Sequence, residues 1–479
     1  MIDASIKYPI WECRTFELTS HISAKTALKP RQNEHLNQYH HQNMKPIKVG
    51  LLGIGTVGSG TFNVLKRNQK EISGRAGRPI EIVMVSARNT QRAKQIVGDD
   101  VTVVDDPALV VNHPDIDIVV EVMGGCTVAK DMVLLAIANG KHVVTANKAL
   151  LAIHGSEIFA EAYKKGVAVA FEGAVAVSIP IIKALREGLA ANRIEWVAGI
   201  INGTTNFILS EMRDKGLDFN HVLKEAQRLG YAEADPTFDI EGIDAAHKLT
   251  IMSAIAFGSK VQFDKAHIEG ITKLEAIDIK YAESLGYRIK LLGITKRTER
   301  GVELRVHPTL VSSKRLIANV EGSMNGIMVK SDAAGVTMYY GAGAGSEQTA
   351  SAVIADLVDI TRLATASHEH HVPYLAFRPE ALSDTPILPI SEITTSYYLR
   401  MHVADQSGVL ASVTGILAEF NISIDAMLQK EPGDGENQTD IVILTHQTQE
   451  KNIVSAIAKI EELQTVMGSV TKLRLEELA

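Results

Sequence analysis

A chain of 479 residues, 46% hydrophobic and 22% charged, has room for about three domains and the balance of an ordinary soluble protein. Its formal net charge of -7 argues against nucleic-acid binding and leaves a polar metabolite as partner. Two cysteines, Cys13 and Cys126, argue against a disulfide framework and for a cytoplasmic location, and no apolar run reaches the roughly 20 residues of a membrane span.

Residues 1–44 are polar and irregular and lack the apolar core and cleavage site of a secretory signal. The pair His40 and His41 could hold a metal, but the composition favours a disordered extension. Met44 directly precedes the first strand-like run, so the folded protein is expected to begin there, and Met44 is a candidate translation start.

From Lys45 the pattern alternates. "KPIKVGLLGIG", "IEIVMVSA", "DIDIVVEVMGG" and "KHVVTAN" read as strands, with "TVGSGTFNVLKRNQK", "TQRAKQIV" and "AKDMVLLAIANG" as helices between them, the last ended by Gly140. Such alternation over 45–172 predicts a doubly wound parallel sheet of the Rossmann type. The first strand ends in "GIGTVG", residues Gly53, Ile54, Gly55, Thr56, Val57 and Gly58, in G-x-G-x-x-G spacing. Following a strand and opening a helix, that spacing predicts a turn and helix N-terminus that receive a dinucleotide pyrophosphate. The second strand ends in "VMVSARN" with no acid for a ribose 2′-hydroxyl, while Arg88 suits a 2′-phosphate, so NADP(H) is expected over NAD(H). Lys148, after the strand ending "TAN", is placed where open sheets bind ligands.

Residues 173–340 read as an α+β domain, with "SIPIIKALREGL", "DFNHVLKEAQRLG" and "DAAHKLTIMSAIAF" as helices and "IEWVAGIING", "GVELRVHPTLV", "NGIMVKS" and "VTMYYGAGAG" as strands. Asn202, Thr204, Thr205 and Asn206 in "INGTTNFIL" suit either a helix cap or a substrate's polar ends. The helix "SEQTASAVIADLVDITRLA" is expected to return to the first domain, within a segment of about 341–377, and residues 378–395 read as a Pro-rich linker. Residues 396–479 follow the order β-α-β-β-α-β, the ferredoxin-like arrangement, with "EPGDGENQ" as a polar turn.

The stretch "GYAEADPTFDIEGIDAAHKLT" puts Glu233, Asp235, Asp239, Glu241, Asp244 and Lys248 ahead of an apolar helix. Asp244 and Lys248 fall at i and i+4, either a surface ion pair or a shielded pair able to pass protons. From Ala226 this stretch, with "KVGLLGIGTVGSG", "TANKALL", "NGTTNFIL" and "YYGAGAGSEQTASAV", resembles the homoserine dehydrogenases, monofunctional bacterial type with a C-terminal ACT domain, over essentially all of 45–479.

The resemblance implies NAD(P)H-dependent interconversion of L-aspartate 4-semialdehyde and L-homoserine, on the branch to threonine, methionine and isoleucine. It makes Lys248 the proton donor with Asp244 beside it, Glu233, Asp244 and Lys148 substrate-binding, and Lys148 and Gly343 cofactor-binding. It implies a catalytic and dimerisation domain over 173–340 and a homodimer or homotetramer. It also implies a monovalent cation, Na+ or K+, beside "FEGAVAVSIPI", held by the Glu172 carboxylate and the carbonyls of Val175, Val177 and Ile179, although "AVS" stands where the family usually has glycines. The ACT-like tail implies regulation by an amino acid, threonine, with Gly408 and Asn421 as contact positions. Two other readings stand beside this one. An aldehyde-oxidising dehydrogenase would need Cys126 as nucleophile, and a non-enzymatic amino-acid sensor would leave Glu233, Asp244 and Lys248 without a reason.

Overall fold

Val- and Ile-rich runs that cannot be satisfied on one face end up covered on both. In the computed structural model, which describes residues 45–364, 370–430 and 437–478, six such runs form one parallel sheet. Its strands are β1 Ile47–Leu52, β2 Ile80–Ser86, β3 Thr102–Val104, β4 Ile118–Glu121, β5 His142–Thr145 and β6 Val169–Ala170, in the order β3-β2-β1-β4-β5-β6. The order reverses beside β1, which puts the crevice for a ligand at the C-terminal ends of β1 and β4. The expected N-terminal extension and most of the "EPGDGENQ" turn lie outside the described residues.

Eleven strands form the second sheet. They are β7 Ile194–Ile200, β8 His267–Ile268, β9 Tyr287–Arg297, β10 Val302–Ser312, β11 Met324–Ser331, β12 Gly335–Ala342, β13 Thr394–Ala404, β14 Ile424–Gln429, β15 Gln438–Thr445, β16 Thr448–Gln449 and β17 Val466–Glu476. The main path runs β12-β11-β7-β9-β10-β17-β13-β15-β14, with β8 beside β10 and β16 beside β13. The last four strands of that path, with helices Val409–Glu419 and Glu450–Glu461, make the ferredoxin-like unit read from the sequence.

That unit is not hung on a free tether. β10 and β17 pair in parallel through Thr309↔Arg474, Leu310↔Leu475 and Val311↔Glu476, so one ladder runs through both halves. The junction is charged. Arg305 is buried and ion-paired to Glu303 at 2.9 Å and Glu476 at 2.8 Å, while buried Arg474 reaches Glu269 at 2.8 Å and Glu450 at 2.7 Å. Arg400 holds buried Asp278 at 2.6 Å. Segment 378–395 is pinned along the way, with the N–H of Val302 donating to the Pro386 carbonyl and that of Leu388 to the Val302 carbonyl.

Two local expectations differ from what is found. "SIPIIKALREGL" is not one regular helix: a short helical turn, Ile181–Lys183, passes into a π-helical turn over Ala184–Gly188, closed by the Leu189 N–H on the Ala184 carbonyl at 2.8 Å. Strand β9, the central partner of β7 and β10, was not among the strands read from the sequence. Its apolar run is broken by Arg288 and by Lys290, which is buried and bonded to the Val320 carbonyl at 2.7 Å.

Helix Ile243–Phe257 carries the Asp244 and Lys248 pair. Every residue from Asp244 to Phe257 is buried, against β7, β9 and β10. Burying Leu249, Ile251, Met252 and Ile255 contributes roughly 1.5–3 kcal/mol each, which anchors a helix start that bears two charges.

Candidate active site

The turn after β1 has the build of a dinucleotide cradle. Gly53 takes φ 98°, a left-handed conformation that a side chain would strain. A Cβ at Gly58 would lie 2.1 Å from the Gly53 carbonyl oxygen, so only glycine lets helix Thr56–Arg67 approach the strand this closely. Around Gly55 the space is open, and the helix that follows has no side-chain cap, leaving its first N–H groups for an anion. Ile54, Thr56 and Val57 complete the turn, and Ser346 Oγ donates to the Thr56 carbonyl at 2.6 Å. Helix Ser346–Leu363 thereby lies along Thr56–Arg67, fastened also by Arg67 to Glu347 at 2.7 Å.

At the end of β5 a short network aims Lys148. Thr145 Oγ1 donates to buried Glu121 Oε2 at 2.7 Å and accepts the Asn147 N–H at 3.0 Å. Asn147 Oδ1 then caps helix Lys148–Lys165 through the Leu150 N–H at 3.1 Å. Lys148 Nζ stands 3.2 Å from Asp244 Oδ1.

Lys248 meets the other oxygen of the same carboxylate. Its Nζ donates to Asp244 Oδ2 at 2.7 Å and to the Ile201 carbonyl at 2.8 Å. An ammonium has three donors, so one is left for a further acceptor. Burial alone would raise the Asp244 carboxyl, but Lys248, Lys148 and the hydrogen bonds outweigh it and hold the group well below the usual carboxylate range. The pair is therefore buried and charged, not a surface ion pair.

Asn202 connects this pair to the rest. Its Oδ1 caps helix Gly203–Lys215 through the Thr205 N–H at 2.8 Å, while its Nδ2 donates to Asp239 Oδ1 at 2.7 Å and Asp244 Oδ2 at 2.8 Å. Asp239, one of the acids to which the sequence assigns no role, thus belongs to the cluster. Burial, then the nearby Asp244 charge, pushes its carboxyl above the usual range. What could have flagged Asp239 is its spacing of five from Asp244 across Gly242, a left-handed turn at φ 81°. Beside the cluster, His247 lies between Phe238 and Phe263, 5.2 and 4.3 Å between ring centres, and burial pulls it down to about 4, so it is neutral.

Other expected positions are placed less centrally. Glu233 is exposed on the loop before Asp239, and among the described residues no ion pair joins it to the cluster. Arg88 is exposed just past β2. Gly343 lies in the loop after β12, against Asn325.

At the expected cation ligands, the Glu172 carboxylate is already hydrogen-bonded. Its two carboxylate oxygens do not stand free: Oε1 accepts the Ile182 N–H at 3.0 Å and Oε2 the Lys183 N–H at 2.9 Å, capping the turn that follows. The Glu172 carbonyl accepts the Val175 N–H at 3.4 Å and the Ile179 carbonyl the Ile181 N–H at 2.7 Å. A cation would share these oxygens with N–H donors or draw on the Val175 and Val177 carbonyls. In the "AVS" segment Ala176 holds φ 53°, a conformation that costs a non-glycine residue roughly 1 kcal/mol or more.

Models of known families match the chain in three segments. Residues 53–172 match "Homoserine dehydrogenase, NAD binding domain", residues 180–358 match "Homoserine dehydrogenase", and residues 397–462 match "ACT domain". A homoserine dehydrogenase of Pseudomonas aeruginosa is 59% identical over 435 residues, 91% of this chain and all of that protein. The chain belongs to the homoserine dehydrogenase family. A homoserine dehydrogenase of Neisseria gonorrhoeae is 57% identical over the same shares. A crystal structure of a homoserine dehydrogenase from Thiobacillus denitrificans superposes with TM-score 0.87 at 64% identity, covering 91% of this chain and 99% of that one.

Homoserine dehydrogenases are oxidoreductases acting on a CH–OH group, and this chain carries the family's NAD-binding, catalytic and ACT domains. The site's chemistry opposes the aldehyde-oxidising alternative as well. Burial, then the Glu121 charge, raises the Cys126 thiol, the reverse of what a nucleophilic cysteine needs. In the ACT domain, Gly408 precedes helix Val409–Glu419 and Asn421 follows it, about 18–20 Å apart at 1.5 Å per residue. One small amino acid cannot touch both positions of the same chain. Among the described residues no helix is long and apolar enough to cross a membrane.

Proposed function

We propose that the chain interconverts L-aspartate 4-semialdehyde and L-homoserine, on the route to threonine, methionine and isoleucine, with Lys248 as the proton-transferring group. The observation that carries this reading is the buried ammonium of Lys248, held by Asp244 and the Ile201 carbonyl with one donor to spare. The nicotinamide cofactor, when bound, supplies or accepts the hydride. In the reductive direction Lys248 gives its proton to the carbonyl oxygen and steadies the negative charge that develops there. Asp244 fixes the ammonium and, with Glu233, takes the polar ends of the substrate. Lys148 reaches substrate or cofactor from the end of β5. Oxidation of NADPH by the purified chain with aspartate semialdehyde tests the reading, and no turnover would sink it.

Finer features of the reading each have their own support. Arg88 at the end of β2, where an acid would serve NAD(H), supports a preference for NADP(H); equal kcat/KM with both cofactors would remove it. A Na+ or K+ ion at Glu172, Val175, Val177 and Ile179 is supported by the strained Ala176 backbone and by a pair of buried carboxyls. Burial, then the neighbouring Glu172, pushes Asp356 up to about 8. Turnover indifferent to Na+ and K+ would speak against it. Threonine as effector is supported by the ACT domain, and the separation of Gly408 from Asn421 favours a ligand shared between two chains of a homodimer or homotetramer. Inhibition assays with threonine, beside light-scattering mass measurement, test both.

A further inference from the structure

Asn325, in β11, is fully buried, yet among the described residues neither its Oδ1 nor its Nδ2 has a hydrogen-bond partner. Buried carboxamides are nearly always satisfied, because a bare donor or acceptor loses its bonds to water and gains none in return. The amide lies against Gly343: a Cβ there would sit 2.1 Å from Asn325 Nδ2 and 2.4 Å from Oδ1. Glycine at 343 thus leaves room for a polar group that has nothing to bond to.

The position of this amide gives it a use. The glycine loop after β12 joins two sites already described. One end is fixed at the cofactor cradle, where Ser346 Oγ holds the Thr56 carbonyl at 2.6 Å. The other end is fixed at Ala342, whose carbonyl accepts from Ser178 Oγ at 2.6 Å. Asn325 pairs with Gly341 across the β11–β12 ladder, and its neighbour Gly326 pairs with Ile200, next to the Ile201 carbonyl that Lys248 holds. The Asn325 amide therefore lies under a loop anchored at the cradle, on a strand that pairs beside the Ile201 carbonyl held by Lys248. The substrate's ammonium can only donate and its carboxylate can only accept, so each satisfies half of Asn325. A nicotinamide carboxamide, with one C=O and one NH2, satisfies both halves at once.

We propose that Asn325 receives the carboxamide of the nicotinamide ring, with Gly343 and Ala344 shifting off it as the cofactor enters. The inference rests on the dehydrogenase reading above and adds to it the residue that orients the ring. Calorimetric binding of three probes tests it: NADP+, its 3-acetylpyridine analogue, in which a methyl replaces the NH2, and 2′-phospho-ADP-ribose, which lacks the ring. The same series is run with NAD+ so that the result does not depend on Arg88.

The wild-type chain should bind NADP+ about tenfold more tightly than the acetylpyridine analogue, as one lost hydrogen bond predicts. In Asn325→Leu that difference should vanish, with the ring-less fragment binding as in wild type. Asn325→Asp keeps the shape but removes the NH2 donor, and should likewise weaken NADP+ and spare the fragment. Equal weakening of NADP+ and the fragment, or discrimination preserved in Asn325→Leu, would assign Asn325 to loop packing and overturn the proposal. A wild-type chain that binds none of the probes would overturn the cofactor reading itself, before any variant is made.

Discussion

Lys148 and Lys248 close on opposite oxygens of Asp244, at 3.2 and 2.7 Å, one lysine from the start of the helix after β5 and one from the buried helix. The cofactor-binding and substrate-handling parts of the chain are thus tied through a single carboxylate. That geometry separates the lysines by role: Lys148 is a third exposed, while Lys248 is buried and takes a second fixed bond.

Lys248→Ala should lower kcat by about 10²–10⁴-fold, the range for a positioned acid–base group, and leave calorimetric NADPH affinity nearly unchanged. A variant with near-normal kcat would refute the proton-transfer role.

Asp244→Ala should destabilise the fold by about 3 kcal/mol, the low end for one partner of a buried pair, since Lys148 retains some solvent. Urea titration measures it. The pH dependence has a definite sign. Because the Asp244 carboxyl lies below its ordinary value in the fold, its contribution is complete above the usual carboxylate range and is lost as pH falls through that range and below. Wild type and Asp244→Asn should therefore draw together in stability on acidification and separate again toward neutrality.

Lys290 gives the opposite end of the pH scale. Burial pulls its ammonium from 10.5 down to about 8, against the nearby Glu321 charge. Between those values the unfolded chain binds the proton and the folded chain does not, so this lysine makes stability rise with pH over that window. Lys290→Met should lose that increment while keeping the profile below pH 8, as paired denaturation curves would show.

The β10–β17 seam predicts a shared fate for the two halves. Cutting the chain after residue 395 removes Glu476 from Arg305 and Arg474 from Glu269, and bares the β10 edge. The truncated chain should aggregate, which makes it a poor control for regulation. Glu476→Gln, a milder change, should cost about 1–3 kcal/mol and leave one cooperative melting transition. Two separated transitions in that variant, read by calorimetry, would mean that the halves unfold independently.

Much of this was legible in the sequence because local rules and tertiary demand agreed. The parallel sheet announced itself through Val- and Ile-rich runs, and the spacing of Gly53 and Gly58 falls on a left-handed turn and a close helix approach. Helix Ile243–Phe257 was readable as buried because it is apolar on every side. What escaped has charge where a pattern expects none. β9 hid behind Lys290, a cation whose partners Asn206 and Val320 lie far away in the chain. Asp239 looked like one acid among several, because its neighbour Asn202 comes from another helix start. The bonds on the Glu172 carboxylate escaped because their donors, Ile182 and Lys183, belong to a turn that spacing alone reads as regular helix.

The shared ladder also bears on how a ribosome-bound chain would acquire its shape. β10 is made well before β17, and until the last strand emerges its edge groups lack their ladder partners and the Arg305 guanidinium lacks Glu476. The catalytic half of a nascent chain carries an unfinished margin through the synthesis of nearly the whole ACT domain, the interval in which wrong strands can dock there. Sealing that margin is a task for the ACT domain's final strand, whatever ligand the domain binds.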